Sequence, residues 1–271
     1  MAYAEFDGKR YYYNTGGTEW RAGQPVVILI HGAGFTHAMW VMQSRALAHH
    51  GYNVAAIDLP GHGASEDTEI GSVQDYADWL ERFREAIGAD GVNVAGHSLG
   101  ACIALTYAAT YPQHAASIAL VGASLRMPVN PQLLDACLND MDQAVAFITA
   151  FAHGPGVKVG RAAVPGEWQL GNATALLKAG TPKVLHRDFD ACNAWDGEAV
   201  AGKVQCPALV LSAEQDRMTP VKGGRAMAQA IPGARFEVIP GIGHMLPTEG
   251  PRPVLRHLRA FLGEVTAQQA A

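Results

Sequence analysis

The sequence is poor in charge: Lys, Arg, Asp and Glu together make up 17% of its 271 residues. Neither sign dominates. The formal net charge is −5 and the pI about 6.1, which leaves no electrostatic ground for a nucleic-acid partner. The basic trio Arg252, Arg256 and Arg259 reads as the solvated face of a helix. No uninterrupted apolar run approaches the ~18 residues of a membrane span, so no membrane partner is expected. The first ten residues have no apolar h-region and no small-residue cleavage site, so they do not read as a secretory signal. Cysteine is scarce: Cys102, Cys137, Cys192 and Cys206 lie far apart and form no CxxC pair. That pattern argues against a disulfide framework and fits buried free thiols in a reducing cytoplasm. No His, Cys or carboxylate group has metal-ligand spacing, and neither a metal nor a cofactor is expected.

Apolar residues are plentiful, at 49%. A chain of this length can bury roughly three-quarters of its unfolded surface around one core. Short runs without a polar face recur at Val26–Ile30, Asn53–Ile57, Val92–Ala95, Ser117–Val121, Ala208–Leu211 and Phe236–Ile239. Strands buried on both faces read this way. Between them lie helical patterns over Val73–Ile87 and Leu99–Tyr111, and another closes the chain over Arg252–Leu262. The alternation predicts an α/β fold, a mostly parallel central sheet flanked by helices. Arg10–Tyr13 reads as an antiparallel edge hairpin with the residues before it. From 124 to 196 helical segments occur without a strand-like run. Residues 1–123 and 197–271 are therefore expected to form a core, and 124–196 a helical cap over the C-terminal edge of the sheet.

Gly96-His97-Ser98-Leu99-Gly100 matches G-x-S-x-G, between a buried strand and an Ala-rich helix. That placement is the one a nucleophile elbow needs. The turn is so tight that side chains two residues either side of Ser98 would collide. Ser98 then sits at a helix N-terminus, where free amides favour an oxyanion. His31-Gly32-Ala33-Gly34 follows the first parallel strand and can curl toward it. The N–H groups of Ala33 and Leu99 are the expected oxyanion donors, with His31 structural. A serine hydroxyl needs a base. Of eleven histidines, His49 and His50 end a helix, His257 lies on the last one, and His97 is expected to point away from Ser98. His244, in the loop Pro240–Pro247 after the last strand, is the candidate. Asp216 ends the preceding strand–loop unit and is the expected acid, with Glu214 as the nearest rival. The order Ser98, Asp216, His244 is that of one known triad arrangement.

With Asp58–Gly63 added, these motifs resemble the α/β-hydrolase fold superfamily, in its serine-nucleophile, esterase-like branch, over nearly the whole chain. The resemblance implies a cap domain and makes Asp58–Gly63 a structural turn. Dehalogenases and epoxide hydrolases of the superfamily use an aspartate nucleophile, whereas position 98 here is serine. The expected activity is cleavage of small or medium, largely apolar carboxylic esters. A lactonase, a carbon–carbon bond hydrolase, a perhydrolase or a lyase would use the same residues. Outside enzymes, a ligand-binding receptor could retain the pocket. Expected pocket residues are Phe35, Trp40, Met127, Trp168, Met218 and Met245, aromatic and thioether groups suited to an apolar ligand. Trp168 is the expected wall of the cap.

Overall fold

The computed structural model describes residues 2–160, 164 and 166–269. Its centre is an eight-stranded sheet: β1 Ala2–Phe6, β2 Lys9–Asn14, β3 Val26–Ile30, β4 Asn53–Ile57, β5 Val92–His97, β6 Ala115–Val121, β7 Ala208–Ala213 and β8 Arg235–Ile239. The spatial order is β1-β2-β4-β3-β5-β6-β7-β8. The β1–β2 hairpin is antiparallel and joins the rest through Tyr13 opposite Ile57; all other pairings are parallel. Val27–Ile30, Val54–Ile57 and Val92–Ala95 are all buried, because helices cover both faces.

Those helices are α1 Val41–Ala48, α2 Val73–Ala86, α3 Leu99–Thr110, α4 Pro131–Asn139, α5 Met141–Ala152, α6 Pro155–Lys158, α7 Gln169–Ala179, α8 Pro182–Ala194, α9 Glu198–Ala201, α10 Val221–Ala230, α11 Leu246–Glu249 and α12 Pro251–Gln269. Serine, asparagine, aspartate and threonine start several of them. Ser72, Asn130, Asp140 and Thr181 each accept an amide hydrogen from the first turn of α2, α4, α5 and α8, a cap worth about 1 kcal/mol. The apolar stripe of α2, with Tyr76, Ala77, Leu80 and Phe83 at most 0% exposed, packs onto α3 and β1. α3 is buried almost all round, as its Ala-rich sequence predicts. α12 runs past the expected end at Leu262. Gly263 and the polar residues after it hide the period, yet Val265 still reaches the core.

The chain passes from β3 to β4 on one side, then to β5 on the other. The C-terminal ends of β3 and β5 are therefore a topological switch point, where open α/β sheets form a crevice. Between β6 and β7 the described residues form α4 to α9 and no strand; residues 161–163 and 165 of that segment lie outside the described residues. The segment lies over this crevice. Asp188 of α8, wholly buried, accepts hydrogen bonds from the Gly34 N–H at 2.9 Å, His62 Nε2 at 2.9 Å and the Tyr76 hydroxyl at 2.6 Å. A helix of the insertion is thereby tied to the loop after β3.

Candidate active site

Ser98 joins β5 directly to α3 with φ 53° and ψ −115°, a left-handed backbone that an L-residue adopts only under strain. The glycines make the turn possible. A Cβ on Gly100 would lie 2.5 Å from Ile30 O, and one on Gly96 would overlap the Gly100 carbonyl. Any side chain at either position would push Ser98 off the crevice. Ser98 begins α3. Among the described residues neither the Leu99 N–H nor the Ala33 N–H meets an acceptor within the protein. Both residues flank the hollow that Ser98 faces, Ala33 as part of its lining.

His31 holds the loop that carries Ala33. Its Nδ1–H donates to Gly32 O at 2.8 Å and its Nε2 accepts from the Leu59 N–H at 3.0 Å. Burial, with His62 adding to it, lowers its pKa to about 4, so the ring stays neutral and structural. Asp58 is also structural. Its carboxylate accepts from the His37 N–H and ring at 2.7 and 2.8 Å and from the Ala64 N–H at 3.0 Å, which closes the turn to Gly63.

The loops after β7 and β8 bring Asp216 and His244 together. His244 Nδ1–H donates to Asp216 Oδ2 at 2.8 Å. The carboxylate is fixed by three further donors, the N–H groups of Met218 and Thr219 and the Thr219 hydroxyl, at 2.7 to 2.8 Å. Burial alone would raise the Asp216 pKa; the His244 ring and the Thr219 bonds outweigh it, and the carboxyl is held below its ordinary value. Glu214, by contrast, is exposed and accepts from the Gly241 N–H at 2.8 Å. The bonds from Thr219, three residues on from Asp216, are a difference between the two carboxylates that the structure adds.

His97 departs from its expected orientation. It lines the same hollow as Ser98, sets its ring 4.8 Å from that of His244 at a tilt of 51°, and donates its Nε2–H to the His244 carbonyl at 2.7 Å. Burial first, then the neighbouring His244, lowers its pKa to about 3, so it supports the His244 backbone as a neutral ring. Glu249 does the same from the other side. Buried at the end of α11, it accepts from the Gly243 N–H at 3.0 Å, the Met245 N–H at 3.2 Å and, across in the insertion, the Gly154 N–H at 3.0 Å. The His97 contact joins segments 147 residues apart and carries no local sequence signal; two of the Glu249 bonds are to residues six and four positions before it, and only the one to Gly154 is long-range, at 95.

The hollow is tight, with free space of about 20 Å3, far below the volume of a site that holds a drug-sized ligand. Phe35, Met218 and Met245 line it as expected, joined by Ile148, Ala152 and Phe189 of the insertion. Three expected pocket residues are elsewhere. Trp40 is wholly buried in the core, at the end of the 3-10 helix His37–Trp40 that runs straight into α1. Met127 is half-buried against the core, where the Leu125–Val129 stretch bonds back to Gly197 and Asn193 at the far end of the insertion. Trp168 is 77% exposed and lies over Gly171, because it precedes α7 and its ring folds onto the first turn. A larger groove of about 570 Å3, lined by Trp20, Arg21, Asn53 and Gly91, opens at the N-terminal ends of the strands and contains neither Ser98 nor His244. No group of three or more His, Cys, Asp or Glu among the described residues could hold a metal ion, and no described helix is long and apolar enough to cross a membrane.

The fold has known counterparts. A family model of the alpha/beta hydrolase fold matches residues 25–150 and 175–251. The chain belongs to this family. Among curated members, the pimeloyl-[acyl-carrier protein] methyl ester esterase of Chromobacterium violaceum is 28% identical over 252 residues, 88% of this chain and 91% of that protein. A bifunctional esterase/perhydrolase of Acinetobacter calcoaceticus is 26% identical over 258 residues, with the same coverage of 88% and 91%. The crystal structure of the enol-lactonase from Burkholderia xenovorans LB400 superposes with a TM-score of 0.87 at 22% identity, over 97% of this chain and 100% of that one, a likeness of fold. This chain is a hydrolase of that fold.

Proposed function

We propose that the chain is a cofactor-independent serine hydrolase that cleaves small, largely apolar carboxylic esters through an acyl-enzyme. One observation carries the reading. His244, whose Nδ1 is bound to Asp216 at 2.8 Å, lines the same hollow as Ser98 in its strained turn. Nε2 then takes the Ser98 proton as Oγ bonds to the ester carbonyl carbon. The oxyanion is held by the free Ala33 and Leu99 N–H groups. Nε2 returns the proton to the leaving alkoxide, so an alcohol departs. Water, deprotonated by the same nitrogen, attacks the acyl carbon and releases the acid and Ser98. Residues 124–196 act as a cap, whose Ile148, Ala152 and Phe189 exclude water and bound the ester.

Ester cleavage is also what the names of the two curated relatives have in common. A fluorophosphonate probe should add one mass equivalent to Ser98, and Ser98→Ala should prevent labelling. The variant should also lose turnover of 4-nitrophenyl acetate by up to about 10⁶-fold in kcat, as in another triad hydrolase. An adduct on any other residue, or binding of esters without turnover, would count against the enzyme reading and for a receptor.

A further inference from the structure

Phe35 and Met245 line a second cavity as well, one whose free space, about 10 Å3, is that of about one water-sized group. Its other walls include the polar side chains His153, Glu167 and Gln169. Gln169 begins α7 and is 3% exposed. Its Nε2–H donates to Thr248 O at 2.7 Å, which fixes the end of the amide that is oxygen. Among the described residues no donor meets its Oε1. An unpaired buried acceptor costs about 1–3 kcal/mol, so it marks a place where something other than the protein supplies the donor. His153 adds a second acceptor. Its Nδ1–H donates to Thr149 O at 3.2 Å, which leaves Nε2 as a lone pair. The ring is 2% exposed, and burial above all holds it neutral, below the usual histidine pKa. Glu167 contributes carboxylate oxygens at the half-exposed margin, and no Lys or Arg is among the described residues that line the cavity.

We propose that this cavity is a substrate subsite for a neutral hydrogen-bond donor, a hydroxyl or amide N–H, borne on the part of the ester that extends past Phe35 and Met245. The two buried acceptors, Gln169 Oε1 and His153 Nε2, are neutral and the Glu167 carboxylate lies only at the half-exposed margin, so a neutral donor is the group that pairs with them at depth. Met245, unbranched and adaptable, is the wall whose rotation joins the two cavities. The inference rests on the ester-hydrolase reading and adds to it a polar end on an otherwise apolar substrate.

Two matched ester pairs test it, each exchanging a terminal methyl for a hydroxyl: methyl butanoate against methyl 3-hydroxypropanoate, and propyl acetate against 2-hydroxyethyl acetate. Each kcat/KM is divided by that ester's rate with hydroxide, which removes intrinsic reactivity. In the wild type the hydroxyl member of one pair should win by about tenfold or more, because the methyl member leaves the buried acceptor unpaired. Gln169→Met should reduce that preference to about twofold or less, with methyl acetate turnover within about threefold of wild type. Equal values within both pairs for the wild type overturn the subsite and leave a cavity that holds water alone. A preference that survives Gln169→Met overturns the role of Gln169. If that variant does not fold, the wild-type pairs decide by themselves. Failure of the wild type to turn over methyl acetate and all four esters overturns the hydrolase reading, and this inference with it.

Discussion

Asp216 and Glu214 are two residues apart on one loop, yet their surroundings differ in kind. All four bonds to the Asp216 carboxylate come from groups fixed by the loop and by His244, so its orientation costs no further ordering. Glu214 hangs in solvent with one backbone partner. Asp216→Asn replaces an acceptor facing His244 Nδ1 by an amide, which favours the wrong imidazole tautomer. It should lower kcat by up to about 10⁴-fold in the 4-nitrophenyl acetate assay. Glu214→Gln should leave kcat within about threefold, as expected of a surface substitution. The reverse ranking would reassign the acid.

Helices α5 and α8 of the insertion supply Ile148, Ala152 and Phe189 to the hollow, whereas the residue before α7, Trp168, faces water. Substrate size should therefore be read by the helix faces and not by that tryptophan. Phe189→Ala should raise kcat/KM for an octanoate ester relative to acetate by about 10- to 100-fold, since apolar pocket groups carry about 1–3 kcal/mol of discrimination. Trp168→Ala should leave the acetate, butanoate and octanoate profile unchanged. A profile that shifts with Trp168 and not with Phe189 would place the acyl chain against the outside of α7. α8 has a second task through Asp188, which fixes the Gly34 amide next to Ala33, so the insertion also holds the loop after β3 in place.

Over the whole molecule, the buried histidines make stability depend on pH. His31 and His97 are 0% and 1% exposed with pKa values lowered to about 4 and about 3. In the unfolded chain they titrate near 6.5. Between those limits the unfolded state binds more protons, so stability falls as pH falls. His153, also lowered, acts in the same direction. Asp188 and Asp216 are both depressed: burial works to raise them, but the His62 and His244 rings beside them outweigh it. Their contribution is present above the unfolded aspartate value and is lost as pH drops through the folded ones. His62, raised by Asp188 against burial, contributes below pH 6.5 and fades as pH rises through its folded value. Glu249, raised by burial, works against the fall only near the carboxylate range. The unfolding free energy from urea melts should therefore drop by a few kcal/mol from pH 7 to pH 5, at about 1.4 kcal/mol per mismatched proton per pH unit. A flat profile would mean that these rings are solvated in the native state.

Period and composition were enough for the parallel sheet, the edge hairpin, the strandless stretch between β6 and β7, and the loops bearing Ser98, Asp216 and His244. Each depends on contacts within a strand–loop–helix unit, where spacing along the chain is spacing in space. Which apolar side chains face the hollow was not legible. Phe35, Met218 and Met245 do; Trp40, Met127 and Trp168 do not, and nothing local separates a core tryptophan from a pocket or surface one. The roles of His97, Asp188, Glu249 and Gln169 were likewise decided by tertiary structure alone. Each is set by a hydrogen bond, or the lack of one, to a residue brought near by the packing of the insertion and the His244 loop onto the sheet. Sequence alone determined the elements and the reactive groups at their ends. Packing, which buries some polar atoms with partners and leaves Gln169 Oε1 without one among the described residues, decided how the side chains around Ser98 and His244 are held.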